Sequence, residues 1–284
     1  MRARNEASAG TFGEDLFLEQ EVPHRQLEFL TRLGFAARGL MYMLVGFLAA
    51  WWGRAEDPSG ALRYLHDETG KPVLLVMVVG FGAYSLWRLL GAWLDSEGHG
   101  SDRKGILIRL GGAGSGLIYL GFAYTAARLA LGAGGGGGSG ERARAGAATA
   151  LSLPGGQALL IAAAAGFLVA GGYQIVKAAR GKFLRHLGGA AANAHWAQIT
   201  GRGGYAARGI VFLLVAWLFA QAALHHSASE AGGMHEALAS LSRTMRLAVG
   251  TGLLLFGLFS LVEARYRRIG NPSRKLEARL RSHA

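Results

Sequence analysis

Six apolar blocks punctuate the chain, at about 33–52, 73–94, 106–131, 157–176, 204–224 and 245–262, with polar and charged segments between them. Each approaches the ~20 residues that an α-helix rising ~1.5 Å per residue needs to cross ~30 Å of hydrocarbon. The pattern predicts an all-α integral membrane protein with six transmembrane helices. The sixth block is the shortest and borrows length from Arg243 or Arg265, whose side chains can snorkel. A polar stretch precedes the first block, with an interfacial helix expected around 16–30 and no apolar core of a signal peptide.

The blocks are not independent. RLGFAARGLMY from Arg32 aligns without gaps on RLGGAGSGLIY from Arg109 and RGGYAARGIVF from Arg202. The matched positions are Arg32/Arg109/Arg202, Gly34/Gly111/Gly204, Arg38/Ser115/Arg208, Gly39/Gly116/Gly209 and Tyr42/Tyr119/Phe212. Every second block repeats as well: GAYSLWR from Gly82 matches GGYQIVK from Gly171 and GLFSLVE from Gly257. Two stretches recurring in order three times define a repeat. The unit is a two-helix hairpin. Two crossings return the chain to its starting side, so the repeats are parallel, related by an axis along the membrane normal. A pseudo-threefold six-helix bundle follows as the natural closure. The division is a polar tail (1–28), repeat one (29–104), repeat two with a Gly-rich outer loop at 132–156 (105–198), repeat three (199–268) and a basic tail (269–284).

Composition agrees with this reading. Hydrophobic types make up 51% and charged types 17%, below the roughly 25% of ordinary soluble domains. Gly numbers 45 and Pro 5, which suits closely packed membrane helices. Cys is absent, which excludes disulfides, thiolate nucleophiles and Cys-ligated metal centres. The net charge of +12 sits mainly in loops and tails flanking the apolar blocks. The segments on the side of the two chain ends hold more than twice the Lys and Arg of the opposite segments. The positive-inside rule therefore places both termini in the cytoplasm of a bacterial plasma membrane. GAGGGGGSG at 132–140 reads as a flexible linker outside, and Trp51 and Trp52 as part of an aromatic belt.

The pattern RxGxxARGxxY, printed three times with a paired second helix, resembles the bacterial membrane family known as domain of unknown function 1206. The resemblance covers about 29–268 and implies three tandem two-helix units, with no established activity. Repeat two departs from it at Ser115.

Gly34, Arg38, Tyr42 and Gly46, four apart, share one slowly drifting helical stripe. Arg32, Arg109 and Arg202 precede their apolar blocks and read as interfacial anchors. Arg38 lies about 9 Å deeper at ~1.5 Å per residue. Arg88, Lys177 and Glu263 end the second helices on the same side. Arg38, Arg208, Arg88, Lys177 and Glu263 are thus expected in one net-positive layer, with Ser115 at the equivalent place in repeat two. One reading makes these residues snorkelling anchors or a structural ion pair; the other makes them a binding site for a lipid phosphate or a small anion. Glu263 has three candidate partners: Arg208 in its own repeat, Arg38 across a ring closure, or Arg267 one turn on. The i,i+4 pair with Arg267 is slightly favoured.

His225, His226 and His235 with Glu230 and Glu236 match no metal signature and read as solvated loop residues. The basic tail suits anionic lipid, with nothing beside it to suggest nucleic acid. No P-loop, HExxH, GxSxG or paired intramembrane acids occur, so neither enzymatic activity nor a cofactor is expected. The favoured function is a non-enzymatic membrane scaffold or anionic-lipid-binding protein; the alternative is a small-solute anion transporter or channel along the pseudo-threefold axis. The latter requires Arg38, Ser115 and Arg208 to face a common cavity.

Overall fold

The computed structural model describes residues 24–95, 100–133, 137–189, 191 and 194–267. The expected tails therefore lie almost wholly outside the described residues. Nine α-helices are present among those described: α1 (His24–Ala50), α2 (Pro58–Thr69), α3 (Lys71–Leu94), α4 (Arg103–Ala130), α5 (Ser139–Leu151), α6 (Gly156–Arg180), α7 (His195–Leu224), α8 (Met234–Ala239) and α9 (Arg243–Tyr266). Six of them, α1, α3, α4, α6, α7 and α9, are long and apolar enough to span a membrane. The sixth runs over 24 residues and takes in both Arg243 and Arg265, the residues expected to lend it length.

The three short helices fall one per repeat, each between two long ones. The outer loop expected at 132–156 therefore contains a helix, which begins at the end of the 132–140 tract read as a flexible linker. The glycine tract gives way to SGERARAGAATAL, whose alanines and arginines favour helix, and α5 forms. Together α2, α5 and α8 cover the end of the bundle opposite the chain ends, the distal face. The Asp57 carboxylate caps α2 by accepting from Gly60 N at 2.7 Å and also accepts from Ser139 N of α5. Arg142 donates to Ser59 Oγ, and Arg144 meets Glu236 of α8 at 2.9 Å. Leu62 and Leu238 bury their side chains beneath this cap.

The long helices pack most extensively between repeats rather than within them. The seams are α3 on α4, α6 on α7, and α9 on α1, so the third repeat closes back on the first. The same glycine pair makes two of them. A Cβ on Gly39 would stand 2.9 Å from the Gly257 carbonyl oxygen, and one on Gly257 would stand 2.6 Å from that of Gly39. Gly209 and Gly171 repeat this approach at 3.1 and 3.0 Å. Gly116 meets Ser85 at the third seam, its Cβ position 3.3 Å from the Ser85 oxygen. Backbones this close exchange many van der Waals contacts, the main force between helices in lipid.

Within repeats the symmetry fails once. α1 packs on α3 and α7 on α9, but α4 and α6 make no comparable contact. The contrast shows at equivalent residues. Tyr84 and Phe259 are 2% and 0% exposed, and Tyr173 is 56% exposed. The second hairpin stands open along its length.

Candidate functional site

The layer expected near the chain-end side of the bundle exists, and Arg38 is its centre. Arg38 is 4% exposed. Its Nε donates to Ser260 Oγ at 3.1 Å, its Nη1 to Tyr84 Oη at 2.6 Å, and its Nη2 pairs with Glu263. The Phe35, Tyr84 and Phe256 rings stand 4.8–5.2 Å from its guanidinium carbon. A buried arginine needs this saturation, because an unpaired charge away from water is costly. Glu263 joins two of its three candidates. One carboxylate oxygen takes Arg38 across the α9–α1 seam, and the other takes Arg267 one turn on. Arg208 is not its hydrogen-bonded partner. The favoured i,i+4 pair is thus half of the arrangement.

The first arginine of each repeat lies against the end of a neighbouring helix. Arg32 Nη1 donates to the Ala264 carbonyl at 2.7 Å and to that of Arg265, in the last turn of α9. Arg109 donates to the Ala92 carbonyl at 2.7 Å and to Trp93 at 2.9 Å, in the last turn of α3. Arg202 lies against Gly181, the residue that ends α6. Arg32 and Arg109 therefore cap the negative, carbonyl end of the preceding repeat's second helix, where unpaired oxygens and the helix dipole both favour a cation, and Arg202 lies beside the corresponding end of α6. Arg32 and Arg109 staple repeats together through these carbonyls.

The three seams carry equivalent sockets with different contents. At α9–α1 the pair is Glu263 and Arg38. At α3–α4 the same two positions hold Arg88 and Ser115, and at α6–α7 they hold Lys177 and Arg208. The acid is present in one socket of three. The described spans α3, α4, α6 and α7 contain no Asp or Glu at all. Arg88 and Arg208 lean on aromatic faces instead, and so does Lys177, which also lies within electrostatic range of Glu263 on α9. Lys177 Nζ sits 4.1 Å from the Tyr205 ring centre. Arg208 lies 5.1 Å from Phe212, 5.1 Å from Phe256 and 5.5 Å from Tyr42. Arg88 lies 5.5 Å from Trp87. Such contacts recover about 0.5–2 kcal/mol each, less than a desolvated cation loses.

Hydrogen-bond accounting points to the same place. Among the described residues, four buried side-chain atoms lack a hydrogen-bond partner, and three belong to this layer: Arg88 Nε, Arg208 Nε and Tyr119 Oη. Tyr119 is 1% exposed and packs against Tyr84, with ring centroids 4.4 Å apart and the planes tilted by 57°. Its hydroxyl lies within electrostatic range of Arg208, Arg38 and Tyr42. Buried polar atoms without partners are rare, and three in one layer set it apart from the rest of the bundle. Arg38 and Arg208 share the Phe256 ring and so face one interior; Ser115 is half-buried on α4. The centre is filled by the Tyr42, Tyr84, Tyr119 and Phe256 side chains, all buried.

Sequence reasoning missed Tyr84, Ser260 and Tyr119 as members of the layer. The signal was available: the aromatic and small polar residues recur at the same repeat positions. On the distal side His225 pairs with Glu230 at 2.7 Å, and Glu236 is engaged with Arg144. No group of three metal-ligating side chains occurs among the described residues.

Three tandem helical hairpins, six membrane-spanning helices and a buried charged layer define a multi-pass membrane protein of repeated architecture. The chain belongs to the family described as Domain of Unknown Function (DUF1206), whose profile matches it in three successive segments, 33–95, 110–181 and 203–267. It is similar to "Uncharacterized protein YxxB" of Bacillus subtilis (strain 168), with 32% identity over 251 residues, covering 84% of this chain and 90% of the relative. No solved structure matches it.

Proposed function

We propose that the protein is a non-enzymatic membrane scaffold that binds an anionic phospholipid, with its phosphate held in the cationic layer. It lies in a bacterial plasma membrane with both chain ends in the cytoplasm, as the excess of Lys and Arg on that side favours. The observation that carries this reading is the imbalance within the layer. Arg88, Lys177 and Arg208 stand in spans without a single carboxylate, and two of them keep a buried Nε without an acceptor. A phosphate diester brings one negative charge and two free oxygens, which answers both needs at once. Side chains filling the centre of the bundle favour a bound ligand over a continuous solute path.

Native mass spectrometry of the protein extracted from membranes tests this. The wild type is expected to retain phosphatidylglycerol or cardiolipin in preference to phosphatidylethanolamine. The double variant Arg208→Gln/Lys177→Gln is expected to lose most of it, a weakening of about a hundredfold if two charge-assisted contacts of ~1.5 kcal/mol each are removed. An unchanged anionic-lipid complement in that variant overturns the reading.

A further inference from the structure

The open second hairpin is built by systematic trimming. Where repeats one and three have Phe35 and Tyr205, repeat two has Gly112; where they have Phe81 and Phe256, it has Ala170. Ala37 and Ala207 become Gly114; Gly166 stands where repeat one has Met77 and repeat three has Gly252. All six of the larger residues at the first three positions, and Met77, are buried. Phe35 and Ala37 pack α1 on α3, and Tyr205, Ala207 and Phe256 pack α7 on α9, while Phe81 packs on Tyr119 and Phe122 of α4. In repeat two they are replaced by the smallest residues available. Gly114 and Gly166 are exposed, and a Cβ on either would meet nothing within 4 Å.

The opening leads to the uncompensated charge. Its two walls are the α3–α4 and α6–α7 seams. Arg88 and Tyr119 belong to the first, Lys177 and Arg208 to the second. The buried Tyr119 hydroxyl, without a hydrogen-bond partner, sits at this junction. From Lys177 to Gly166 the helix rises about 16 Å at ~1.5 Å per residue, close to half of a ~30 Å hydrocarbon core, or one leaflet. The distal cap of α2, α5 and α8 covers the far end, so this approach is from the side.

We infer that the space between α4 and α6 is a lateral groove that takes one acyl chain of an anionic phospholipid, whose phosphate sits among Arg88, Lys177 and Arg208. The inference rests on the lipid-binding reading above and adds the route and the second point of attachment. The repeats differ because only one of three hairpins is opened. The threefold scaffold supplies a rigid frame, and the trimmed unit supplies the site.

The test restores what the other repeats have. The full chain carrying Gly112→Phe and Ala170→Phe, purified in detergent, is titrated with dioleoyl-phosphatidylglycerol and, separately, with inorganic phosphate, binding being read by native mass spectrometry and by the shift in unfolding temperature. The refilled variant is expected to keep its unfolding temperature without lipid and to bind the phospholipid at least about tenfold more weakly, since chain contacts scale with each buried CH₂. If it binds phospholipid like the wild type while Arg208→Gln does not, the groove is overturned and the phosphate site stands. If neither variant affects the phospholipid, both readings fail. Inorganic phosphate stabilising the protein as strongly as the phospholipid also overturns the groove, because a free anion needs no chain. Should the refilled variant fail to fold, the natural absence of Cys provides a second arm. Gly166→Cys, alkylated with a pyrene maleimide after purification, is expected to release bound phospholipid; retention after complete alkylation overturns the inference.

Discussion

Glu263→Ala lowers the stability of the detergent-solubilised protein by about 3–5 kcal/mol, the cost of leaving one partner of a buried pair without its counter-charge. Glu263 is the carboxylate that neutralises both Arg38 and Arg267, and both pairs form away from bulk water. Removing it strands Arg38, which keeps only the Ser260 and Tyr84 hydroxyls, at 3.1 and 2.6 Å. For a chain of this size that corresponds to roughly 10 °C in unfolding temperature. Glu263→Gln preserves shape and one acceptor and is expected to cost less. The double variant Arg38→Ala/Glu263→Ala is expected to be more stable than Glu263→Ala alone, because no orphan cation remains. Unfolding followed by intrinsic fluorescence of the six tryptophans reads all three. A Glu263→Ala protein as stable as wild type would mean that water reaches Arg38 and that the layer is not desolvated.

Gly46→Leu is the second large effect. A Cβ at Gly46 stands 2.6 Å from the Gly250 carbonyl oxygen and closer still to the Leu254 backbone nitrogen of α9. The obstacle is backbone, which cannot swing aside as a side-chain tip can. The α9–α1 seam must therefore part, and with it the alignment of Arg38 on Glu263. We expect a loss of monodisperse protein or a destabilisation beyond 3 kcal/mol, in the range of severe overpacking. Gly111→Leu is the control, since a Cβ there meets nothing within 4 Å. It is expected to leave unfolding unchanged by size-exclusion profile and thermal melt. If the two substitutions behave alike, the seam is not the element that closes the ring.

How much of this was legible in the chain can be seen residue by residue. The repeat alignment of Arg32, Arg109 and Arg202 exposes the three hairpins, since hydrophobic period and motif recur together. The layer follows from depth alone, because Arg38 and Glu263 sit at matching rises along their helices. Three features were hidden for physical reasons. The capping role of Arg32 depends on the carbonyls of Ala264 and Arg265, more than 230 positions away, and carbonyls have no sequence signature. α5 was masked by the glycines beside it, whose flexibility is the stronger local signal. The open hairpin was written in Gly112, Gly114 and Ala170, but small residues in lipid more often mean closer packing than its absence. Contact between α4 and α6 decides between those meanings, and only the fold supplies it.

The most direct test of a phospholipid in the cationic layer is an experimental density map of the protein in nanodiscs containing phosphatidylglycerol. The account predicts a phosphate within hydrogen-bond reach of Arg208 Nε, with an acyl chain leaving between α4 and α6. A map in which Arg88, Lys177 and Arg208 face only protein and water, with α4 closed against α6, would contradict it.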